Sequence, residues 1–220
     1  MSLPRPDLSV YLVTDTGQLR AARHDPVGGV LAAVAGGVNT VQVREKDASA
    51  RDFLAYVEAL AGALPTHVAL IVNDRVDVFL AARVRAARVS GVHVGQGDLP
   101  VTAIRSLIGT DAILGLSAST PEEIADAAAS GVVDHIGIGP LHNTTTKADA
   151  PDGLGHEAVA RLAAASSLPA VAIGGLRAAD LPILRAAGLA GAALVSAICA
   201  VPDPEAAARE LRAAWNGAQA

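Results

Sequence analysis

The sequence predicts an α/β protein in which eight parallel strands close into a single (β/α)8 TIM barrel. Eight short apolar runs recur at roughly even spacing, and alanine-rich stretches with helical periodicity separate them. Runs of Val, Ile and Leu without polar alternation are typical of strands buried on both faces, and their alternation with helices indicates parallel βα units. The runs are Val10–Val13, Thr40–Val43, Val68–Val72, Val92–Val94, Ile113–Leu116, His135–Ile138, Ala170–Ile173 and Ala192–Val195.

The stretches between the runs carry helix signals. Ser49 precedes Ala50–Leu64, in which apolar residues recur at helical spacing. Thr120–Glu123 combines an N-cap residue, a proline at the first helical position and a capping-box glutamate before Ile124–Ala129. Leu99–Ile108 is predicted as the crossover helix after the fourth strand.

Composition limits the classes of function. The 220 residues are interpreted as one TIM-barrel catalytic domain spanning residues 1–220. A net charge of −5 argues against a nucleic-acid-binding surface. No segment approaches the ~20 apolar residues of a membrane span and no signal peptide is recognisable, so the sequence predicts a cytoplasmic protein without a membrane partner. The single cysteine, Cys199, excludes an internal disulfide.

The second apolar run ends in a cationic motif. Gln42, Arg44 and Lys46 alternate along the chain and therefore share one face of the predicted strand. An amide and two cations at a barrel mouth suit a di- or triphosphate. The alternative is a solvated charged loop.

Two aspartates follow the next two runs. Asp74 comes after Asn73, and Asp98 comes after Gln96-Gly97. Because neighbouring strands lie about 4.8 Å apart, both carboxylates could reach one Mg²⁺ ion. Alternatively, Asp74 forms an Asx-turn and Asp98 caps the following helix.

Ser117 ends the fifth run, where its hydroxyl could bond a phosphate or a leaving group, or could cap a helix. The sequence places no histidine at an obvious general-base position beside it.

The long loop Gly137–Gly155 carries Thr144, Thr146 and Lys147. These residues predict a lid that binds a phosphate group. The alternative is an ordinary polar loop.

Gly174-Gly175 and Ser196 close the seventh and eighth runs. Loops after these two strands form the recurrent phosphate site of this barrel, and glycine allows the backbone to approach a ligand closely. A cationic site and a neutral site on opposite sides of one barrel opening predict two phosphorylated substrates.

In this order, these motifs resemble the thiamine phosphate synthase family, from Tyr11–Asp15 to Val195–Ile198. The resemblance implies an enzyme that joins 4-amino-5-hydroxymethyl-2-methylpyrimidine diphosphate to thiazole phosphate and releases diphosphate. It implies Mg²⁺ held by Asp74 and Asp98, and catalytic roles for Arg44, Ser117 and Lys147. The implied contacts to the pyrimidine diphosphate are Gln42, Arg44, Lys46, Asn73, Ser117 and Lys147. Those to the thiazole phosphate are Thr144, Thr146, Gly175, Val195 and Ser196.

The implied mechanism is dissociative, since diphosphate leaves before the thiazole nitrogen attacks a pyrimidine-stabilised carbocation. Three features depart from the family pattern. Gly97 replaces a charged residue, His142-Asn143 precede Thr144 where an aromatic and proline are usual, and Arg83–Val89 replaces a shorter turn.

Three other functions fit part of this pattern. Thiazole tautomerases share the barrel but typically carry a histidine where this chain has Ser119. A non-catalytic ligand sensor would not need the charged residues at the strand ends. A sugar-phosphate isomerase would not need Asp74 and Asp98. His24 and His156 are interpreted as surface or capping residues, and an alanine-rich outer helix is compatible with a homodimer.

Overall fold

The computed structural model describes residues 6–144 and 152–217. The described residues contain eight parallel strands that form one closed barrel, each paired with its neighbours in chain order and the last with the first. The predicted (β/α)8 fold class is therefore confirmed. The strands are β1 Val10–Val13, β2 Thr40–Val43, β3 Ala69–Asn73, β4 Gly91–Val94, β5 Ile113–Ser117, β6 His135–Ile138, β7 Ala170–Ile173 and β8 Gly191–Leu194.

Helices surround the barrel and connect successive strands. Those in the described parts of the chain are α1 Thr16–Ala21, α2 Pro26–Ala35, α3 Ala50–Ala63, α4 Val76–Val84, α5 Val101–Ile108, α6 Pro121–Ser130, α7 Gly155–Ala165, α8 Leu181–Ala186, α9 Ser196–Cys199 and α10 Pro204–Asn216. A 3-10 turn, Ala178–Asp180, precedes α8. None of these helices is long and apolar enough to cross a membrane.

The apolar core has two layers, because successive side chains of each strand point to opposite faces. The larger layer lies between the strands and the helices. A smaller apolar cluster includes Tyr11 and Val13 of β1, Ile71 of β3 and Val171 of β7, which alternate with the residues of the larger layer. It is small because polar side chains and glycines take up part of the barrel interior.

Local signals explain most helix ends. Thr120 and Glu123 form the predicted capping box at the start of α6, and Gly131 ends that helix in the left-handed conformation. The helix predicted from Leu99 begins at Val101 instead, because Pro100 is the extended N-cap.

The Arg83–Val89 segment ends α4 and binds neighbouring elements. Arg83 pairs with Asp111 at 2.8 Å, and Arg85 pairs with Glu58. Arg88 donates to the carbonyl oxygens of Ala61, Leu64 and Pro65, at the C-terminus of α3. These contacts give the segment a structural role at the end of the barrel opposite the predicted site.

Candidate active site

One cavity of about 620 Å³ lies at the carboxyl ends of the strands. The structure brings the described predicted site residues together around it, although contact with a substrate stays a prediction. Those residues are Gln42, Arg44, Lys46, Asn73, Asp74, Asp98, Ser117, Thr144, Gly175, Val195 and Ser196. The remaining two, Thr146 and Lys147, lie outside the described residues.

The cationic side of the cavity is anchored to the tip of β1. The Nε2 of Gln42 donates to the Tyr11 hydroxyl at 2.8 Å, in a buried contact. The backbone N–H of Arg44 donates to Thr14 Oγ1 at 3.1 Å. Thr14, to which the sequence assigned no role, therefore holds the residue that carries the predicted diphosphate-binding guanidinium.

Asp74 occupies a strained turn at the end of β3. Its φ is 59°, and the N–H of Arg75 bonds the carbonyl of Asn73 at 2.6 Å across it. This is a γ-turn with positive φ, a rare conformation for a residue other than glycine. Strain of this kind persists where the surroundings enforce it, commonly at functional sites.

Asp98 does not cap the next helix, because Pro100 holds that position. Its Oδ2 instead accepts from the N–H of Gly95 at 2.7 Å, which folds the short loop after β4 back on itself. Asp74 and Asp98 thus both line the same cavity. This donor set suits a hard divalent cation such as Mg²⁺.

Ser117 has a histidine partner, which corrects the sequence interpretation. The Nε2 of His93 lies 3.1 Å from Ser117 Oγ. His93 lies in the middle of β4 rather than at its tip, and its ring reaches Ser117 through the barrel interior. The signal that could have revealed it is the pattern Val92-His93-Val94, which turns one polar side chain away from its apolar neighbours.

The His93 imidazole is a poor base. Burial, and secondarily the nearby His135, lower the pKa of His93 to about 3. Its Nδ1 is buried without a hydrogen-bond partner among the described residues, so no carboxylate there orients the ring. The pair therefore lacks the features that turn a serine into a nucleophile.

His135 completes a polar cavity floor that sequence analysis missed. Its ring centroid lies 5.5 Å from that of His93, and burial lowers the pKa of His135 to about 4. Gly115 makes room for both rings, since a Cβ there would lie 2.3 Å from His93 Nδ1. Both imidazoles are thus neutral near pH 7, beside the Tyr11–Gln42 hydrogen bond.

The opposite wall is built from backbone. Gly174 and Gly175 both have positive φ, 95° and 68°. A Cβ on Gly174 would lie 2.4 Å from Cβ of Pro140, so glycine allows the two loops to meet. Ser196 opens α9 at the same rim. Among the described residues that line the cavity, this wall contributes no charged side chain, in contrast to the Arg44 side.

Ser119, which stands where thiazole tautomerases typically carry a histidine, has a structural role. Its hydroxyl donates to the carbonyl of Gly139 at 2.8 Å and accepts from the Gly139 N–H at 3.2 Å. The side chain therefore ties the end of β5 to the end of β6.

The sequence model of a family described as thiamine monophosphate synthase matches residues 10–198 of this chain. The chain belongs to the thiamine monophosphate synthase family. A thiamine-phosphate synthase of Solidesulfovibrio magneticus is 49% identical over 210 residues, covering 95% of this chain and 96% of that protein. One of Azorhizobium caulinodans is 46% identical over 212 residues, covering 96% of each.

One solved structure agrees with this assignment. A thiamine phosphate pyrophosphorylase from Pyrococcus furiosus superimposes with a TM-score of 0.84 at 29% identity, covering 97% of this chain and 98% of that one. A 3-hexulose-6-phosphate synthase, at 19% identity and a TM-score of 0.65, shares the fold alone. Membership of the thiamine monophosphate synthase family makes this chain an enzyme of the transferase class.

Proposed function

We propose that this protein is a thiamine phosphate synthase that condenses 4-amino-5-hydroxymethyl-2-methylpyrimidine diphosphate with thiazole phosphate and releases diphosphate. The observation that carries the proposal is the asymmetry of one cavity. Arg44, Lys46 and two carboxylates line one side, and the Gly174-Gly175 turn with Ser196 lines the other. Such a cavity has separate places for a highly charged and a less charged phosphate group.

The diphosphate belongs on the cationic side. Arg44 offers a planar fork for two phosphate oxygens, Lys46 adds a point charge, and Lys147 is proposed to add a second. Asp74 and Asp98 are proposed to hold Mg²⁺, which when bound would neutralise charge on the departing diphosphate. Asn73, at the end of β3, is proposed to bond the same group.

The pyrimidine belongs on the floor formed by Tyr11, Gln42, His93 and His135. As the bond between carbon and the diphosphate oxygen breaks, both bonding electrons leave with oxygen and positive charge develops on the pyrimidine. The lowered pKa values of His93 and His135, to about 3 and about 4, keep both rings uncharged. A neutral polar floor therefore avoids repulsion of the developing cation, which a protonated imidazole would cause.

Ser117 is proposed to orient the leaving group rather than to attack the substrate. His93 fixes its hydroxyl at 3.1 Å but is too weak a base to remove its proton near pH 7. The thiazole nitrogen then takes the place of the departing oxygen on the same carbon. No covalent enzyme intermediate is needed, and close placement of the two rings supplies much of the rate.

The thiazole phosphate is proposed to bind the neutral wall. Backbone N–H groups near Gly175 and Val195, together with the Ser196 hydroxyl, provide donors for a monophosphate. Thr144, which lines the cavity, and Thr146 are proposed to close over it.

The direct test is a coupling assay with the purified protein, both phosphorylated substrates and Mg²⁺. We expect stoichiometric thiamine phosphate and diphosphate, detected by chromatography. Omitting either substrate should give no thiamine phosphate. Failure to form it with both substrates present, by protein shown to be folded, would contradict the proposal.

The proposed ion and loop contacts are tested separately. Excess chelator and the Asp74→Ala change should each reduce turnover by at least roughly 100-fold, since developing charge loses several kcal/mol of stabilisation. Full turnover of Asp74→Ala would exclude the proposed metal ligand.

Lys147→Ala should lower kcat or raise KM for the diphosphate substrate. If both kinetic constants are unchanged in Lys147→Ala, the proposed loop contact is excluded.

A further inference from the structure

Two histidines and an aspartate converge at a place that the proposed reaction does not use. His142 follows β6, His156 lies in the first turn of α7, and Asp180 ends the 3-10 turn after β7. The Nε2 atoms of His142 and His156 lie 3.1 and 2.8 Å from the same carboxylate atom, Asp180 Oδ1. All three ligand atoms lie within 4.8 Å of one another.

We propose that His142, His156 and Asp180 form a zinc site. Ligands at about 2.0–2.1 Å in tetrahedral coordination lie roughly 3.3 Å from each other. The two nitrogen–oxygen separations are close to that spacing, so small adjustments of the side chains would admit the ion. Two imidazoles and one carboxylate favour Zn²⁺ over Mg²⁺, which binds oxygen ligands.

The surroundings of Asp180 prepare it as a ligand. The carboxylate is buried, with the residue 6% exposed. Its other oxygen, Oδ2, accepts from the N–H of Arg177 at 2.8 Å, which fixes the direction of Oδ1. Such outer contacts commonly orient metal-binding side chains.

The histidines leave one side of the site open. Their side chains are 37% and 33% exposed, and the rings meet edge to face with centroids 5.4 Å apart. Three protein ligands and an accessible fourth position match zinc sites that keep a bound water. His156, interpreted from sequence as a surface or capping residue, is assigned here as a ligand.

The site spans the two ends of the segment that carries Thr144, Thr146 and Lys147. Asn143 Oδ1 accepts from the N–H of Gly153 at 2.6 Å, so a hydrogen bond already joins the chain on either side of residues 144–152. His142 lies just before this closure and His156 just after it. A bound ion would therefore cross-link the segment after β6, the start of α7 and the turn after β7. These three ligands are not among the residues that line the catalytic cavity.

The experiment is a calorimetric titration of metal-free protein with Zn²⁺ in the presence of excess Mg²⁺. We expect one equivalent of Zn²⁺ to bind, and affinity to fall at least roughly 100-fold in His156→Ala and in His142→Ala. His67→Ala, which removes an exposed histidine elsewhere, should bind Zn²⁺ as the native protein does. Asp74→Ala should also retain Zn²⁺ binding, which separates this site from the proposed magnesium site.

Substitution by Co²⁺ provides a second readout that does not depend on the variants. The native protein should develop the intense visible absorption of tetrahedral Co²⁺, and Zn²⁺ should abolish it. Absence of binding by the native protein, or equal Zn²⁺ affinity in folded His156→Ala and His142→Ala, would overturn the proposal. Both results are independent of the coupling assay, so either proposal can fail without the other.

Discussion

The surroundings of the Ser117–His93 pair decide its chemistry. A serine and a histidine at 3.1 Å would suggest a nucleophile and its base. The pKa of His93, lowered to about 3, leaves it almost entirely unprotonated near pH 7 but also makes it weakly basic. Its imidazole can accept or donate a hydrogen bond but gains little by accepting the serine proton. Positioning is the role that remains.

Replacement of Ser117 tests this interpretation. We expect Ser117→Ala to lower kcat by roughly 10- to 100-fold, the effect of one lost hydrogen bond to a charged group. Intact-protein mass spectrometry during turnover should detect no covalent pyrimidine adduct in the native enzyme. Ser106→Ala, on the exposed face of α5, should keep native kinetics. A trapped adduct on Ser117, or a loss beyond roughly 10⁴-fold, would instead indicate a nucleophile.

The residues found from sequence and those missed differ in their place on the strands. Asp74 and Asp98 lie in the short segments that follow two apolar runs, so their position at the cavity could be predicted from chain order alone. His93 and His135 lie within strands, where contact depends on register across the barrel. Asn73 pairs with His93, and Gly115 pairs with both His93 and His135. That register depends on the closed barrel and cannot be read from one run.

The strands and helices could be predicted from the sequence because their local signals agree with the fold. The capping box of Thr120 and Glu123 is such a signal. The Arg83–Val89 segment could not be interpreted, because its partners are distant in sequence. Arg88 reaches the last carbonyls of α3, about 25 positions earlier, where a cation also complements the helix dipole.

Arg88→Ala should therefore destabilise the fold while leaving the site intact. We expect the free energy of unfolding to fall by about 1 kcal/mol, because three carbonyls lose a charged donor that is partly screened by water. Urea denaturation measures this loss. Arg51→Ala, an exposed arginine in the first turn of α3, is the matched control and should change stability much less. Equal losses in both variants would assign the effect to charge rather than to capping.

The barrel interior combines a small apolar cluster with a buried polar floor. Tyr11 and Gln42 satisfy one another, whereas three nitrogens of His93 and His135 have no partner among the described residues. Buried polar groups of this kind cost stability. The fold tolerates them because most of the buried side chains are apolar.

The buried histidines should make the whole barrel sensitive to acid. His135 has a pKa of about 4 in the folded chain against 6.5 as a free group, so the unfolded chain binds more protons between these values. The stability that depends on neutral His135 is therefore present above about pH 6.5 and is lost as pH falls toward 4. At pH 4.5 the loss from this residue should be on the order of 2 kcal/mol. Urea unfolding of the native protein and of His135→Phe, at pH 7 and 4.5, should show a smaller acid loss in the variant. His67→Phe, which alters an exposed histidine, should lose as much stability between pH 7 and 4.5 as the native protein does. If His135→Phe also loses as much stability as the native protein, other groups set the acid sensitivity.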